Sequence, residues 1–223
     1  MAELIVTIDG PAASGKSTAA GLLANKLGAS FLDTGAMYRA VTLAAMLSGI
    51  DLSNEDELLK IMQTNKFKFF IEKDQMAVRI NGIDATGQIR SPEVTASARY
   101  IASAPKVREK LVEMQRRFAA DHEKIVTEGR DQGTVAFPDA DIKFFLTADV
   151  TERARRRQAE LQVKGVADSI EQIRKAMEKR DKSDQNRTVG PLKPADDAII
   201  IDTTNLNLEQ VVDKLLNYVK ENA

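Results

Sequence analysis

No cysteine occurs among the 223 residues, so disulfides, thiolate zinc sites and cysteine nucleophiles are excluded together. Tryptophan is also absent, and the single histidine, His122, leaves little scope for histidine-based acid–base or zinc chemistry. It is expected to be a surface residue at a helix end, without a partner. Neither sign of charge is in excess: the net charge is −1, so no global field draws the chain to nucleic acid or to an anionic membrane. No apolar run approaches the roughly 20 residues of a membrane helix. The first strand-like run begins at Leu4, so no signal peptide and a cytoplasmic protein are expected. There is no internal repeat or low-complexity tract.

What is present suits one folded domain with a modest insertion. Hydrophobic residues make up 43% and charged residues 29% of the chain, enough for a full core under a well-solvated, balanced surface. A monomer is the default expectation.

The most informative stretch is Gly10-Pro-Ala-Ala-Ser-Gly-Lys-Ser17, directly behind the apolar run Leu4-Ile-Val-Thr-Ile8. It fits the phosphate-loop pattern G-x-x-x-x-G-K-[ST], and it has the flanking strand and helix the pattern requires. The glycines let consecutive backbone N–H groups turn inward, forming an anion cradle at a helix N-terminus. Lys16 would reach the terminal phosphates of a nucleoside triphosphate, and the Ser17 hydroxyl would hold Mg²⁺. The candidate ATP-binding stretch is therefore Gly10, Pro11, Ala12, Ala13, Ser14, Gly15, Lys16 and Ser17, with Thr18 beside it.

The loop is followed by a helix from about Lys16 to Leu27, with Leu22, Leu23, Ala24 and Leu27 inward and Gly28 as its stop. Phe31-Leu32-Asp33 reads as a short buried strand. Thr34 is expected to cap the next helix, which puts Asp33 and Thr34 at a strand's carboxyl end, where ligands bind in open α/β sheets. From about Ser53 the texture changes. Ser53 with Asp56 resembles a capping box. Two strand-like runs follow, Lys66–Ile71 and Met76–Ile80, separated by Lys73-Asp74. Asn81-Gly82 then signals a tight hairpin. Pro92 and Pro105 stand at first helical positions. The alternating pattern resumes with strands at 125–128, 142–146 and 198–202, and with helices capped near Thr151, Ser169 and Asn207. Strands joined by helices make a parallel sheet. The expected fold is α/β, a five-stranded parallel sheet flanked by helices with a small inserted antiparallel β lobe. Core residues 1–63 and 105–223 would enclose an inserted lobe of about 64–104, with an arginine-rich lid at about 151–165.

Two polar clusters are candidates for chemistry. Glu128-Gly-Arg-Asp-Gln-Gly-Thr134 follows a buried strand, so Arg130 could meet a substrate phosphate and Asp131 a hydrogen-bond donor on the substrate. The alternative is a self-satisfied turn in which Arg130 pairs with Asp131 or Glu128. Arg153, Arg156 and Arg157 share a helix face that could close over a triphosphate and stabilise the transferring phosphoryl group. The alternative is a solvated face with Glu152 paired to Arg156. No Asn-Lys-x-Asp guanine motif occurs, which argues against a GTPase switch.

The chain resembles the bacterial cytidylate kinases of the nucleoside-monophosphate kinase family. The resemblance rests on Ile8-Asp-Gly-Pro11 running into Gly15-Lys-Ser17, and on Leu32-Asp-Thr-Gly-Ala-Met-Tyr-Arg39. It continues through Gly129-Arg-Asp-Gln-Gly-Thr134, Phe137-Pro138, and Asn186-Arg187 leading to Pro191-Leu192. It implies transfer of the ATP γ-phosphate to CMP or dCMP with Mg²⁺. By the same resemblance Thr34, Arg108 and Asp131 would read the cytosine ring. Arg39 and Arg130 would hold the acceptor phosphate, Arg187 the nucleotide, and Arg180 with Asp184 the sugar. Lys16, Arg130, Arg153 and Arg157 are the candidate catalytic residues, and Arg153 and Arg157 are also candidates for contact with ATP. Glu128 and Asp33 both lie where a second metal support could stand. Arg99 stands where some relatives have a base-contacting serine, and no contact is assigned to it.

Overall fold

A computed structural model describes residues 2–72, 75–163, 165 and 167–222. The Lys73-Asp74 separation between strands and position 164 of the expected lid lie outside the described residues. In chain order the elements are β1 (Leu4–Asp9), α1 (Lys16–Leu27), β2 (Ser30–Asp33), α2 (Thr34–Leu47) and α3 (Glu55–Thr64). Next come β3 (Phe67–Glu72), β4 (Gln75–Ile80), β5 (Ile83–Asp84), α4 (Pro92–Ser103) and α5 (Pro105–Ala120). The chain continues through β6 (Lys124–Gly129), β7 (Ile142–Thr147), α6 (Val150–Val163), α7 (Ile170–Gln185), β8 (Ile199–Asp202) and α8 (Leu208–Asn222). The five-stranded sheet has the order β2-β6-β1-β7-β8, and a separate three-stranded sheet has the order β3-β4-β5. No helix among the described residues is long and apolar enough to cross a membrane.

The chain divides into two compact units, Met1–Glu3 with Ala29–Ile125 and Leu4–Gly28 with Val126–Ala223. In the first, α2 is the central helix, packed by α3, α4 and β4. Its buried alanines at 36, 40, 44 and 45 allow close approach of those neighbours. The small sheet is antiparallel, with Phe67 opposite Ile80 and Glu72 opposite Gln75. Asn81 and Gly82 both take positive φ, 53° and 84°, the conformation that a two-residue hairpin turn demands and that Asn-Gly tolerates.

In the second unit β1 pairs in parallel with β7, Val6 opposite Ile142 and Asp9 opposite Phe145. In turn β7 pairs with β8, Phe144 opposite Ile199. Val6, Ile8, Phe144 and Leu146 are fully or almost fully buried, as runs covered on both faces should be.

Several expectations about local structure are corrected. The cap of α2 is Asp33, whose Oδ1 accepts the Ala36 N–H at 2.8 Å, so Thr34 is the first helical residue. The cap of α3 is Asn54, accepting the Glu57 N–H, because Ser53 is already held in a turn by Asp51. Asp149 accepts from the Thr151 and Glu152 N–H groups at the start of α6, the role expected of Thr151. Leu22 lies outward and exposed, since the inner face of α1 is taken by Ala19, Ala20, Leu23 and Ala24. His122 is half-buried and partnered, stacked on Phe118 with a ring nitrogen 2.7 Å from the Phe118 carbonyl oxygen. Ser169 and Gln172 form the complete capping box of α7, and Asn207 accepts the Gln210 N–H at α8. Gly28 ends α1 in the left-handed region.

Candidate active site

The loop between β1 and α1 is built from backbone that few residues tolerate. Gly10 has φ +147°, Ala13 φ +57° and Gly15 φ +90°. A Cβ on Gly10 would lie 2.0 Å from the Leu146 carbonyl oxygen, so only glycine fits beside β7. Contacts from the rest of the second unit then fix the loop. Ala12 and Ala13 pack on Ala154, Ile173 and Met177 of α6 and α7. Thr203, after β8, donates its hydroxyl to the Ser14 carbonyl at 3.1 Å. The Ser14 hydroxyl itself is fully buried and unpartnered.

Lys16 is buried and folds back to donate to the Pro11 carbonyl at 2.7 Å. Burial, then the neighbouring Arg130, push its ammonium down to about 7. A cation so placed gains from an arriving anion, which replaces lost hydration. The Ser17 hydroxyl donates to Glu128 Oε1 at 2.9 Å. Asp9 ends β1 one residue before the loop. Burial pushes its carboxyl up to about 7, against the opposing Gly133 and Gln132 N–H groups.

A second cluster stands in the same unit. Asp184 Oδ2 accepts from Arg130 Nε at 3.0 Å, and Asp184 Oδ1 accepts from Arg187. Arg130 also donates to the Gly129 carbonyl at 3.0 Å. Burial raises the Asp184 carboxyl, but Arg130, Arg187 and Arg180 outweigh it and hold the group below the usual range. Arg180 is pushed down by burial and by Arg130, with Arg157 adding to the repulsion. Lys16, too, feels both Arg130 and Arg180. The sequence alternative, Arg130 paired with Asp131 or Glu128, is replaced by pairing with a residue 54 positions away. Asp131 is buried two residues beyond β6.

The arginines of α6 separate by environment. Arg153 is buried and committed to protein: it donates to the Ala148 carbonyl at 3.0 Å and the Ala12 carbonyl at 3.2 Å, and pairs with Asp181 at 2.7 Å. Arg156 pairs with Glu152 at 3.2 Å, as the solvated-face alternative had it, and also donates to the Thr203 carbonyl at 2.6 Å. Arg157 is the more open, paired with Glu160 at 2.8 Å.

In the first unit Arg39 pairs with Asp33 at 3.2 Å, while its Nε is buried and unpartnered. Arg90 reaches the same carboxylate at 3.7 Å. Arg108 is buried, with its guanidinium 5.7 Å from the centre of the Tyr38 ring. Thr34 is buried at the start of α2. Arg99 is exposed over the Tyr100 ring. Asp9, Thr203 and Asp181 carry contacts to functional stretches that sequence reasoning missed. Their partners lie 124, 189 and 28 positions away in the chain, beyond any local signal.

Comparison with known proteins identifies the family. Residues 6–221 match the family model described as cytidylate kinase. The chain is similar to the cytidylate kinase of Mannheimia succiniciproducens, 42% identical over 219 residues covering 98% of this chain and 97% of the relative. It is 43% identical to that of Oceanobacillus iheyensis, over 97% of this chain and 94% of the relative. The chain belongs to the cytidylate kinase family. It is thereby a nucleotide-binding P-loop kinase, a phosphotransferase. Among solved structures, an uncharacterized protein from Eubacterium ventriosum aligns over 97% of this chain and 98% of its own, with a TM-score of 0.52 at 14% identity. That likeness speaks for the fold alone.

Proposed function

We propose that the chain transfers the γ-phosphoryl group of ATP to CMP or dCMP, giving ADP and CDP or dCDP. The observation that carries this reading is the match of residues 6–221 to the cytidylate kinase family, on a chain whose phosphate loop holds the buried Lys16 with Arg130 near it. Cations at such a site gain when phosphates arrive. Phosphoryl transfer needs little covalent help: alignment and charge neutralisation supply most of the rate. Residues Gly10 to Thr18 hold the triphosphate in this reading, with Lys16 on its terminal phosphates. Arg157 closes on it from α6. Arg153 acts on the loop through its bond to the Ala12 carbonyl.

The acceptor is assigned by chemistry and by the resemblance. Cytosine presents an exocyclic amine that donates and a ring edge that accepts. Asp131 suits the amine, while Thr34 and Arg108 suit the acceptors. Uracil puts a carbonyl where the amine was, which costs on the order of 1–3 kcal/mol per mismatched contact. That is enough to prefer cytosine without excluding UMP. Arg39 and Arg130 take the acceptor phosphate, exchanging their present carboxylates for it. Arg187 touches the nucleotide, and Arg180 with Asp184 addresses the sugar.

The residues present fit Mg²⁺: the Ser17 hydroxyl and the Glu128 carboxylate are hard oxygen donors already in contact. Among the described residues no group of three or more His, Cys, Asp or Glu side chains could hold a metal ion; the ion would be held mainly through substrate phosphates and water. When bound, it would neutralise charge on the phosphates. Asp33 is committed to the α2 cap and to Arg39, which favours Glu128 as the second support.

The test is ADP release from ATP with a panel of nucleoside monophosphates. CMP and dCMP should turn over, UMP more slowly, and AMP and GMP negligibly. Equal rates across pyrimidines and purines would overturn the base assignment. No release with any acceptor would overturn the enzyme.

A further inference from the structure

Asp9 lies outside the roles assigned so far. It is the last residue of β1, it is 4% exposed, and both its carboxylate oxygens are spent on one short segment. Oδ1 accepts the Gln132 N–H at 2.9 Å, and Oδ2 accepts the Gly133 N–H at 2.8 Å. These are the two peptide groups directly after Arg130-Asp131. From β6, the Thr127 hydroxyl holds Oε1 of the same Gln132 at 2.9 Å. A carboxylate spanning two consecutive N–H groups fixes both the position and the rotation of a segment, whereas a single acceptor leaves a pivot. Here the segment turns sharply. Asp131 has φ −145° and ψ 26°, and its carbonyl accepts the Val135 and Ala136 N–H groups in a π-helical turn over Gln132–Ala136.

The other end of the grip is firm without the Asp9 side chain. The backbone of β1 is paired with β7 up to Asp9 opposite Phe145, and Gly10 lies hard against the Leu146 carbonyl. Losing the carboxylate therefore loosens the turn that presents Arg130 and Asp131, whose Thr127 and π-turn bonds remain, and leaves the phosphate-loop backbone seated.

We propose that Asp9 is a positioning residue for the acceptor nucleotide, setting from the edge of the phosphate loop where Arg130 and Asp131 are presented. The inference rests on Arg130 and Asp131 meeting the acceptor, as proposed above. It gives β1 two separate tasks. Its backbone leads into the donor cradle, and its last side chain tunes acceptor recognition without touching either substrate.

Asp9→Asn tests it, because an amide offers one acceptor and one donor, so one of the two N–H groups must face another donor. The KM for CMP should rise about tenfold, the factor one lost buried hydrogen bond gives. The CMP:UMP ratio of kcat/KM should fall with it, and the KM for ATP should stay within about twofold. Thr127→Val removes the second hold on Gln132 at nearly constant shape. It should move the same quantities by a smaller factor, and it carries the test if Asp9→Asn does not fold. A purely structural role would lower the melting temperature and raise both KM values together. That outcome, or an unchanged KM for CMP, overturns the proposal. Asp131→Asn is the reference variant. If it leaves the CMP:UMP ratio unchanged, the base-reading assignment fails, and Asp9 is judged on the KM for CMP alone. If it collapses the ratio while Asp9→Asn and Thr127→Val do not alter it, the positioning role fails and the base reading stands.

Discussion

The phosphate loop and the Asp184 cluster lie in the same unit and are held by different forces. The loop is shaped mainly by backbone conformation and neutral contacts, Gly10 against Leu146, Thr203 on the Ser14 carbonyl and two alanines on an apolar cluster, with Arg153 and Lys16 adding bonds to its carbonyls. The cluster is shaped by charge, with one buried carboxylate between Arg130 and Arg187 and with Arg180 close by. A site held by sterics keeps its form whether or not it is loaded. A site held by ion pairs can trade partners, and under the proposed assignment an arriving phosphate would offer Arg130 a stronger anion than Asp184 does. The difference would suit a donor that only has to dock and an acceptor whose phosphate must be aligned for attack.

The largest effects should come from breaking the donor side. Lys16→Met removes the buried cation that the proposed reaction places on the terminal phosphates, and kcat should fall by about 10²–10³-fold or more in a steady-state assay, with the fold intact by circular dichroism. Gly10→Ala forces a Cβ into the Leu146 carbonyl. It should lower the melting temperature and weaken ATP binding together, which single-variant calorimetry will read. If ATP affinity is untouched, the loop is not sterically set.

Breaking the charged side should give a smaller and pH-dependent effect. Asp184→Asn leaves Arg130 and Arg187 with an amide in place of their counter-ion. At pH 7 the melting temperature should drop by at least about 2–4 °C, the shift that a loss of about 1 kcal/mol gives in a chain of this size. The folded carboxyl lies below its ordinary value of 3.8, since the arginines outweigh burial. Its contribution is therefore complete above that ordinary value and lost as pH falls through the depressed one. The gap between wild type and variant should close in acid, and a gap that widened there would contradict the assignment. Smallest is Arg157→Gln. Its pair with Glu160 is partly exposed, so the melting temperature should move by about 1–2 °C at most, while the KM for ATP rises several-fold if Arg157 meets the triphosphate.

The same contrast explains what the sequence made legible. Gly10 to Ser17 is readable because its conformation is written locally: glycines at the strained positions, an apolar run before and a helix after. The Asn81-Gly82 hairpin and the Ser169–Gln172 capping box are readable for the same reason. The caps at Asp33, Asn54 and Asp149 were each missed by one or two positions, because aspartate, asparagine, serine and threonine adjoin there and only geometry chooses among them. The arginine helix reads as one face, yet burial divides it. Arg153 is shut off from water and must satisfy its guanidinium with Asp181 and two carbonyls, whereas Arg157 keeps part of its surface in solvent and pairs with Glu160. Asp9 reads only as the end of a strand, since the N–H groups it grips are more than a hundred residues away.

Separate titrations of ATP and CMP into Asp131→Ala test the division of labour between the two sites. ATP affinity should stay within about twofold of wild type and CMP affinity should weaken by about tenfold or more, the factor of a lost base contact. Loss of ATP binding with CMP affinity unchanged would contradict that division.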